Sequence, residues 1–241
     1  MRKIKFEVGD IYHIYNRGAN RAVIFNNDSD MWRFLQGLFL FNDENSSSNI
    51  LYRIERKNNG RINFLLLKDF IKNNQEGRNP LVRIMADCLM PNHFHLILQE
   101  IKEDGISRFM HRLGTGYTCY KNKKENRRGG GSLFQGPFKA VKIDSDEYLK
   151  YLLTYINVIN PGQLIEPNLK EKGIKNIDGI ISFAENYDWS TNKEYLGTRE
   201  SIIVDKGLLG EIFSTSEEYK KFVKEVLLSK EYNKINHLIL E

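Results

Sequence analysis

Leu81-Val82-Arg83-Ile84-Met85-Ala86-Asp87-Cys88-Leu89, then Met90-Pro91-Asn92, then His93-Phe94-His95-Leu96-Ile97-Leu98-Gln99, is the stretch that decides the fold. Two apolar runs of strand length flank a tight turn at a proline, so they read as an antiparallel β-hairpin. The first run is almost wholly apolar, as a strand buried on both faces would be. In the second, residues two apart point to the same side, about 7 Å from each other. His93 and His95 therefore face one volume while Phe94 packs on the other side. Two neutral imidazoles so placed are half of a divalent-cation site, with the remaining positions left for oxygen. They are equally readable as two histidines on a half-exposed strand face.

Outward from the hairpin, Gly9 to Asn16 alternates and is rich in β-branched and aromatic residues, which predicts a strand. Arg17 to Asn20 turns the chain. Asp28 or Ser29 is placed to cap a helix carrying Met31, Phe34, Leu35, Leu38 and Phe39 at helical spacing. Residues 42–80 read as an insertion, with a hairpin of 51–56 and 62–67 around Asn58-Asn59-Gly60-Arg61. Gly105 to about Lys124 is a helix with Ile106, Phe109, Leu113 and Tyr117 on one face. Leu133 to Ile143 is a further strand. Asp144 or Ser145 caps a helix from Asp146 to Ile159, ended by Pro161-Gly162. The order β-α-(insert)-β-β-α-β-α resembles a ferredoxin-like split βαβ. The fold class is therefore α+β with an antiparallel sheet. Residues 1–161 form the principal domain, and 162–241 an appended α-helical extension with a helix over 216–229.

Composition narrows the function. With 41% apolar and 12% aromatic residues, the chain has the means to build a core. No apolar run is long enough to span a bilayer, and Met1 to Glu7 has no apolar stretch behind its charges. Two cysteines, Cys88 and Cys119, stand in no metal spacing and are expected as free thiols in a reducing compartment. The expected location is the cytoplasm of a prokaryote, at the nucleoid, with no membrane partner. Residues 105–142 hold nine Lys and Arg against one Glu, in a chain whose total is only +5. Outside that segment the chain is net negative. Such concentration points to a polyanion, nucleic acid first.

Tyr148, Tyr151 and Tyr155 fall on one helical stripe, and Asn157 and Asn160 follow within about a turn. Most such stripes are core packing. A phenol followed by a carboxamide also suits attack on a phosphate beside a metal, because a cation offsets the poor nucleophilicity of tyrosine.

These motifs carry a resemblance. Met90-Pro91-Asn92-His93-Phe94-His95-Leu96 resembles the HUH motif of single-tyrosine transposases of the insertion-sequence 200/605 type. Tyr12-His13-Ile14-Tyr15-Asn16-Arg17-Gly18 resembles the opening strand of the REP-associated tyrosine transposase branch. Phe134-Gln135-Gly136-Pro137-Phe138-Lys139 resembles that branch's FQGRFK strand. Asp146-Glu147-Tyr148 through Asn157 resembles its tyrosine helix, and Tyr187-Asp188-Trp189-Ser190 with Tyr195-Leu196-Gly197 its C-terminal tail.

The resemblance implies an RRM-like HUH core that nicks single-stranded DNA beside a hairpin through a 5′-phosphotyrosine. Tyr155 would be the nucleophile, His93 and His95 metal ligands, and Mg²⁺ or Mn²⁺ the cofactor. The family's amide lies four residues after the tyrosine. Here Ile159 holds that position and Asn160 comes one later, so either the helix bulges or the third ligand is Asn157 or Gln163. Pro137 stands where the family has arginine. Asn16, Arg17, Arg108, Arg112, Lys121, Lys123, Lys124, Arg127, Arg128 and Lys139 are the expected DNA contacts. Tyr12, Tyr15 and Phe134 are candidates for base stacking. Monomer and homodimer both remain open. The alternatives are a catalytically degenerate hairpin DNA-binding protein, and a histidine-metal hydrolase that uses water and leaves no protein–DNA adduct.

Overall fold

The computed structural model describes residues 4–44, 78–127 and 131–229. The expected hairpin at 51–67 and Arg128 lie outside the described residues. The core runs β1 (Ile11–Arg17), α1 (Asp28–Leu40), β2 (Val82–Met90), β3 (His93–Glu100), α2 (Gly105–Lys124), β4 (Lys139–Ile143) and α3 (Asp146–Thr154). The four strands form one sheet in the order β2-β3-β1-β4, and every neighbouring pair is antiparallel. This is the split βαβ arrangement that the element order predicts, and the class is α+β.

Each face of the sheet is buried. Tyr12 and Ile14 of β1 and Phe94, Leu96 and Leu98 of β3 pack against Phe34 and Leu38 of α1 and Ile106, Phe109, Leu113 and Tyr117 of α2. The opposite face carries Ile11, Cys88, Met90 and Ile97 against α3 and the helices that follow. A register shift between Ile84 and Ala86 reverses the facing of β2. That shift brings Cys88 and Met90 to the side of their register partners His95 and His93.

Local chemistry explains the element ends. Asn27, rather than Asp28 or Ser29, caps α1, its side chain accepting from the Asp30 amide. Ser145 caps α3, accepting from the Tyr148 amide at 3.2 Å. The buried carboxylate of Glu100 ends β3 and receives the Gly105 and Ile106 amides at 3.0 and 2.8 Å, which caps α2. The strand expected from Leu133 begins only at Lys139. Phe134 makes a single bridge to Gly18, after which Gly136, at φ +150°, and Pro137 leave the ladder.

The two ends of the 42–80 segment meet: the Glu44 amide donates to Asn79 O at 2.7 Å. Asn42 binds Val82 O and the Leu81 and Val82 amides. The chain thus leaves and returns at one point, as an insertion does.

Beyond α3 come a π-helical turn (Tyr155–Ile159) and an α-turn (Asn160–Gly162), then α4 (Leu169–Lys172), α5 (Ile177–Asn186), α6 (Asn192–Tyr195), α7 (Leu208–Ile212) and α8 (Ser216–Ser229). These helices share one core with α3: Ile180, Ala184, Tyr195, Leu209, Phe213, Tyr219 and Val223 cluster with Tyr151, Leu152, Tyr155 and Ile156. Residues 189–191 line the outer edge of β2 through Leu89 N to Trp189 O, 2.8 Å, and Thr191 N to Asp87 O, 3.0 Å. That covers an otherwise open strand edge. Among the described residues, no helix is long and apolar enough to cross a membrane.

Candidate active site

The histidines of β3 meet the chain after α3 on the face opposite α1 and α2. Register places Tyr15 against His95 and Arg17 against His93, so His13, Tyr15, His93 and His95 all project to this side. His95 is buried and shares a 2.8 Å hydrogen bond between its Nδ1 and His13 Nε2. The two rings stack at 5.0 Å, and Tyr15 stacks on both. His93 lies at the rim. Its Nδ1 is 2.7 Å from Asn92 Oδ1, and its Nε2 is 3.3 Å from Asn160 Oδ1.

Asn160 reaches His93 because the helix bulges. Its amide donates to Tyr155 O, five residues back, and the turn Tyr155–Ile159 is π-helical. The extra residue is absorbed, Ile159 is buried in the core, and the carboxamide is delivered one position late. Gln163 donates to Asn160 Oδ1 at 2.8 Å and so stands behind it. Asn157 is remote from the histidines in its bonding: it donates to Tyr219 OH at 3.2 Å and accepts from Thr191 Oγ1 at 2.8 Å.

The donor set fits a divalent cation. In the tautomer of neutral His93 that carries its proton on Nδ1, that proton satisfies Asn92 Oδ1 and the Nε2 lone pair faces Asn160 Oδ1. Two acceptors facing each other are what a cation between them satisfies. Among the described residues, no group of three or more His, Cys, Asp and Glu is set for a metal. A site here would rest on two imidazoles and a carboxamide.

Tyr155 is only 1% exposed. Its ring meets His95 edge-on, 5.6 Å between centroids, and its hydroxyl receives a 2.5 Å hydrogen bond from Lys170 Nζ on α4. The other tyrosines of the stripe are buried as well. Burial pushes the Tyr148 phenol up, with Asp144 and Tyr15 adding to the shift. A cleft of about 850 Å³ opens over the histidines, with Arg17, Arg21, Lys139 and Lys170 in its wall. Asn16, Phe94, Gly136 and Pro137 connect it to a second groove of about 490 Å³ along α2.

The expected DNA contacts divide. Lys139 is exposed at the cleft, and Arg17 reaches it while bonding Gln135. Asn16 is tied to Gly136 O at 3.0 Å. Lys123 is exposed, and Arg127 lies near Gly131 O. Arg108 faces Glu44, and Arg112 the Asp43 carbonyl. Lys121 is a correction. Its ammonium is 1% exposed and bound to Asp30 at 3.0 Å, so it is core and not a phosphate contact. Lys124 shares the same carboxylate. Tyr12, Tyr15 and Phe134 are buried, and of these Tyr12 lines neither cleft. Sequence reading missed Lys170, Arg21 and His13. Only the last carries a signal, the period of two that aligns it with Tyr15.

Residues 65–158 match the model of the IS200-like transposases. Over this stretch the chain is similar to the IS200-like transposases. A solved structure of a REP-associated tyrosine transposase bound to a REP hairpin is also similar, with 14% identity over 85% of this chain and 93% of that one and a TM-score of 0.45. No curated protein matches. The matched stretch includes both histidines of β3 and Tyr155, while Arg17, Arg21 and Lys170 of the cleft wall lie outside it.

Proposed function

We propose that this chain is a transposase, a metal-dependent single-stranded DNA endonuclease and strand transferase that nicks beside a hairpin through a 5′-phosphotyrosine on Tyr155. The observation that carries the reading is the π-turn. It sets Asn160 against His93 and the Tyr155 ring against His95 within a single bend of helix.

His93, His95 and Asn160 would hold Mg²⁺ or Mn²⁺, which when bound neutralises charge on the reacting phosphate. His13 holds His95, and Gln163 holds Asn160. Tyr155 Oη attacks phosphorus, the P–O3′ bond breaks, and its electron pair leaves on O3′. The phenol proton goes to solvent and O3′ takes one up. No nucleotide cofactor is consumed, since one phosphodiester is exchanged for another. The cations of the cleft wall and exposed Lys123 offer contacts to the DNA backbone.

The test is a denaturing gel with single-stranded DNA from the flanks of the gene, with and without Mn²⁺. A slower, protein-linked band is expected, and Tyr155→Phe removes it while hairpin binding survives. An adduct that persists in the variant would falsify the nucleophile. Cleavage that leaves a 5′-phosphate and no adduct would instead mark a water-using hydrolase. The burial of Tyr155 and Pro137 at the arginine position favour one second reading, a degenerate hairpin-binding protein. That reading expects binding indifferent to EDTA and no cleavage with Mn²⁺.

A further inference from the structure

Leu169 is fully buried in the cluster around the tyrosine helix, and it anchors the single turn of α4. The next residue, Lys170, is half-buried and lies in the wall of the main cleft beside the histidines. Its Nζ is 2.5 Å from Tyr155 Oη and 4.7 Å from the centroid of that ring. The phenol itself is almost inaccessible. A phosphate approaching the Tyr155 hydroxyl therefore meets the Lys170 ammonium.

We infer that Lys170 is a further catalytic residue, whose ammonium bridges the Tyr155 hydroxyl and the scissile phosphate. This rests on the proposed function. An ammonium has three donors and serves two acceptors at once, and its flexible stem lets it follow a moving phosphate. It meets the phosphodiester in a partly desolvated wall, where charge developing in the transition state is best stabilised. Arg17, Arg21 and Lys139 share the cleft and Glu171 opposes them, but Lys170 is the cation of that wall bonded to the phenol. Lys170 ends the step with the protons it began with. The phenol loses its proton to solvent, the Oη–P bond forms, and the electron pair of P–O3′ leaves with O3′.

The experiment has two arms on the full chain, with Lys170→Met, Lys170→Arg and the control Lys172→Met. Lys172 is on the same turn and exposed. In the first arm, single-turnover adduct formation with Mn²⁺ is followed on the flank oligonucleotide. Lys170→Met is expected to slow the step about 10²- to 10³-fold, as loss of a transition-state donor does. The substrate concentration at half-maximal rate changes less than threefold, Lys170→Arg regains at least tenfold, and Lys172→Met is unchanged. In the second arm, metal-free binding of the same oligonucleotide is measured against salt. Loss of one phosphate contact on a single strand lowers the slope by about 0.7. An unchanged slope in both Lys170 variants overturns the inference whether or not the protein nicks. A wild-type adduct with unslowed Lys170→Met overturns it and leaves the proposed function standing. A lowered slope with no wild-type adduct keeps the phosphate contact and refutes the nucleophile reading.

Discussion

Replacing Lys121 by Met separates charge that folds the protein from charge that binds DNA. Lys121 Nζ is buried against Asp30 Oδ2 at 3.0 Å, with Asn26 Oδ1 at 3.2 Å and Glu125 beside it. Asp30, itself fully buried, also holds Lys124, the Tyr120 hydroxyl at 2.9 Å and the Asn26 amide at 2.9 Å. Breaking a buried pair costs about 3–5 kcal/mol when the survivor is left alone. Here three partners stay with Asp30 and the Met stem fills the same space, so about 2–3 kcal/mol is expected. Asp30→Ala removes the carboxylate that both lysines share and leaves buried Lys121 with Glu125 and Asn26, so it costs more, roughly 3–5 kcal/mol. Burial raises the Asp30 carboxyl, but Lys124, the Asn26 amide, Lys121 and Tyr120 outweigh it and hold it below the usual range. A depressed folded value gives stability that is present at neutral pH and lost as pH falls below about 4. Urea denaturation at pH 7 and at about pH 2 measures both effects. Salt titration of DNA binding gives the contrast: Lys121→Met keeps the wild-type slope, and exposed Lys139→Met lowers it by about 0.7 to 0.9. A Lys121→Met protein as stable as wild type but with a lowered slope would refute the placement of this lysine in the core.

Two further outcomes follow from buried polar groups of the sheet itself. Burial pushes the Asp87 carboxyl up to about 7, with Glu194 adding repulsion and Arg199 opposing. A raised folded value means the native state holds the proton, so stability falls as pH rises from about 4 to 7, by roughly 4 kcal/mol. Asp87→Asn is expected to flatten that limb in pH-dependent urea melts, and a limb that stays would assign it elsewhere. His13→Phe removes the partner of His95 Nδ1 and is expected to weaken Mn²⁺ binding by about 10- to 100-fold in calorimetry. His13→Gln, which can still accept a hydrogen bond, recovers part of this, and equal affinity in all three proteins would show that His13 only packs.

The elements that place the site were legible because their signals are local. Alternation marked β1, a proline turn between apolar runs marked β2 and β3, and the stripe Ile106, Phe109, Leu113 and Tyr117 marked the buried face of α2. The same stripe, carried one step further, reaches Lys121, four residues beyond Tyr117. Sequence alone makes it a DNA contact, because a buried lysine is recognisable only once Asp30, 91 residues away, is seen beneath it. The reach from Leu133 to Ile143 looked like one strand because side-chain pattern alone does not show that Gly136 and Pro137 interrupt the ladder. Lys170 had no signal at all. It is one cation in a polar stretch, and only the placing of α4 beside the π-helical turn brings it to Tyr155.

The bulge after Tyr155 connects these levels. In a regular α-helix the residue four beyond Tyr155 recurs on its face, and that residue is Ile159. A straight helix would turn an isoleucine toward His93 and swing Asn160 by about 100° away from it. Ile159 is instead wholly buried with the apolar cluster, and Asn160 stands 3.3 Å from His93. The π-turn therefore satisfies two demands that an α-turn sets against each other, burial of an inserted apolar residue and delivery of a carboxamide. Its own backbone is settled by the Asn160 amide on Tyr155 O, and the following Pro161 has no N–H to orphan. The departure from regular helix is confined to Tyr155–Ile159, and it turns Asn160 to His93 while Ile159 stays in the core.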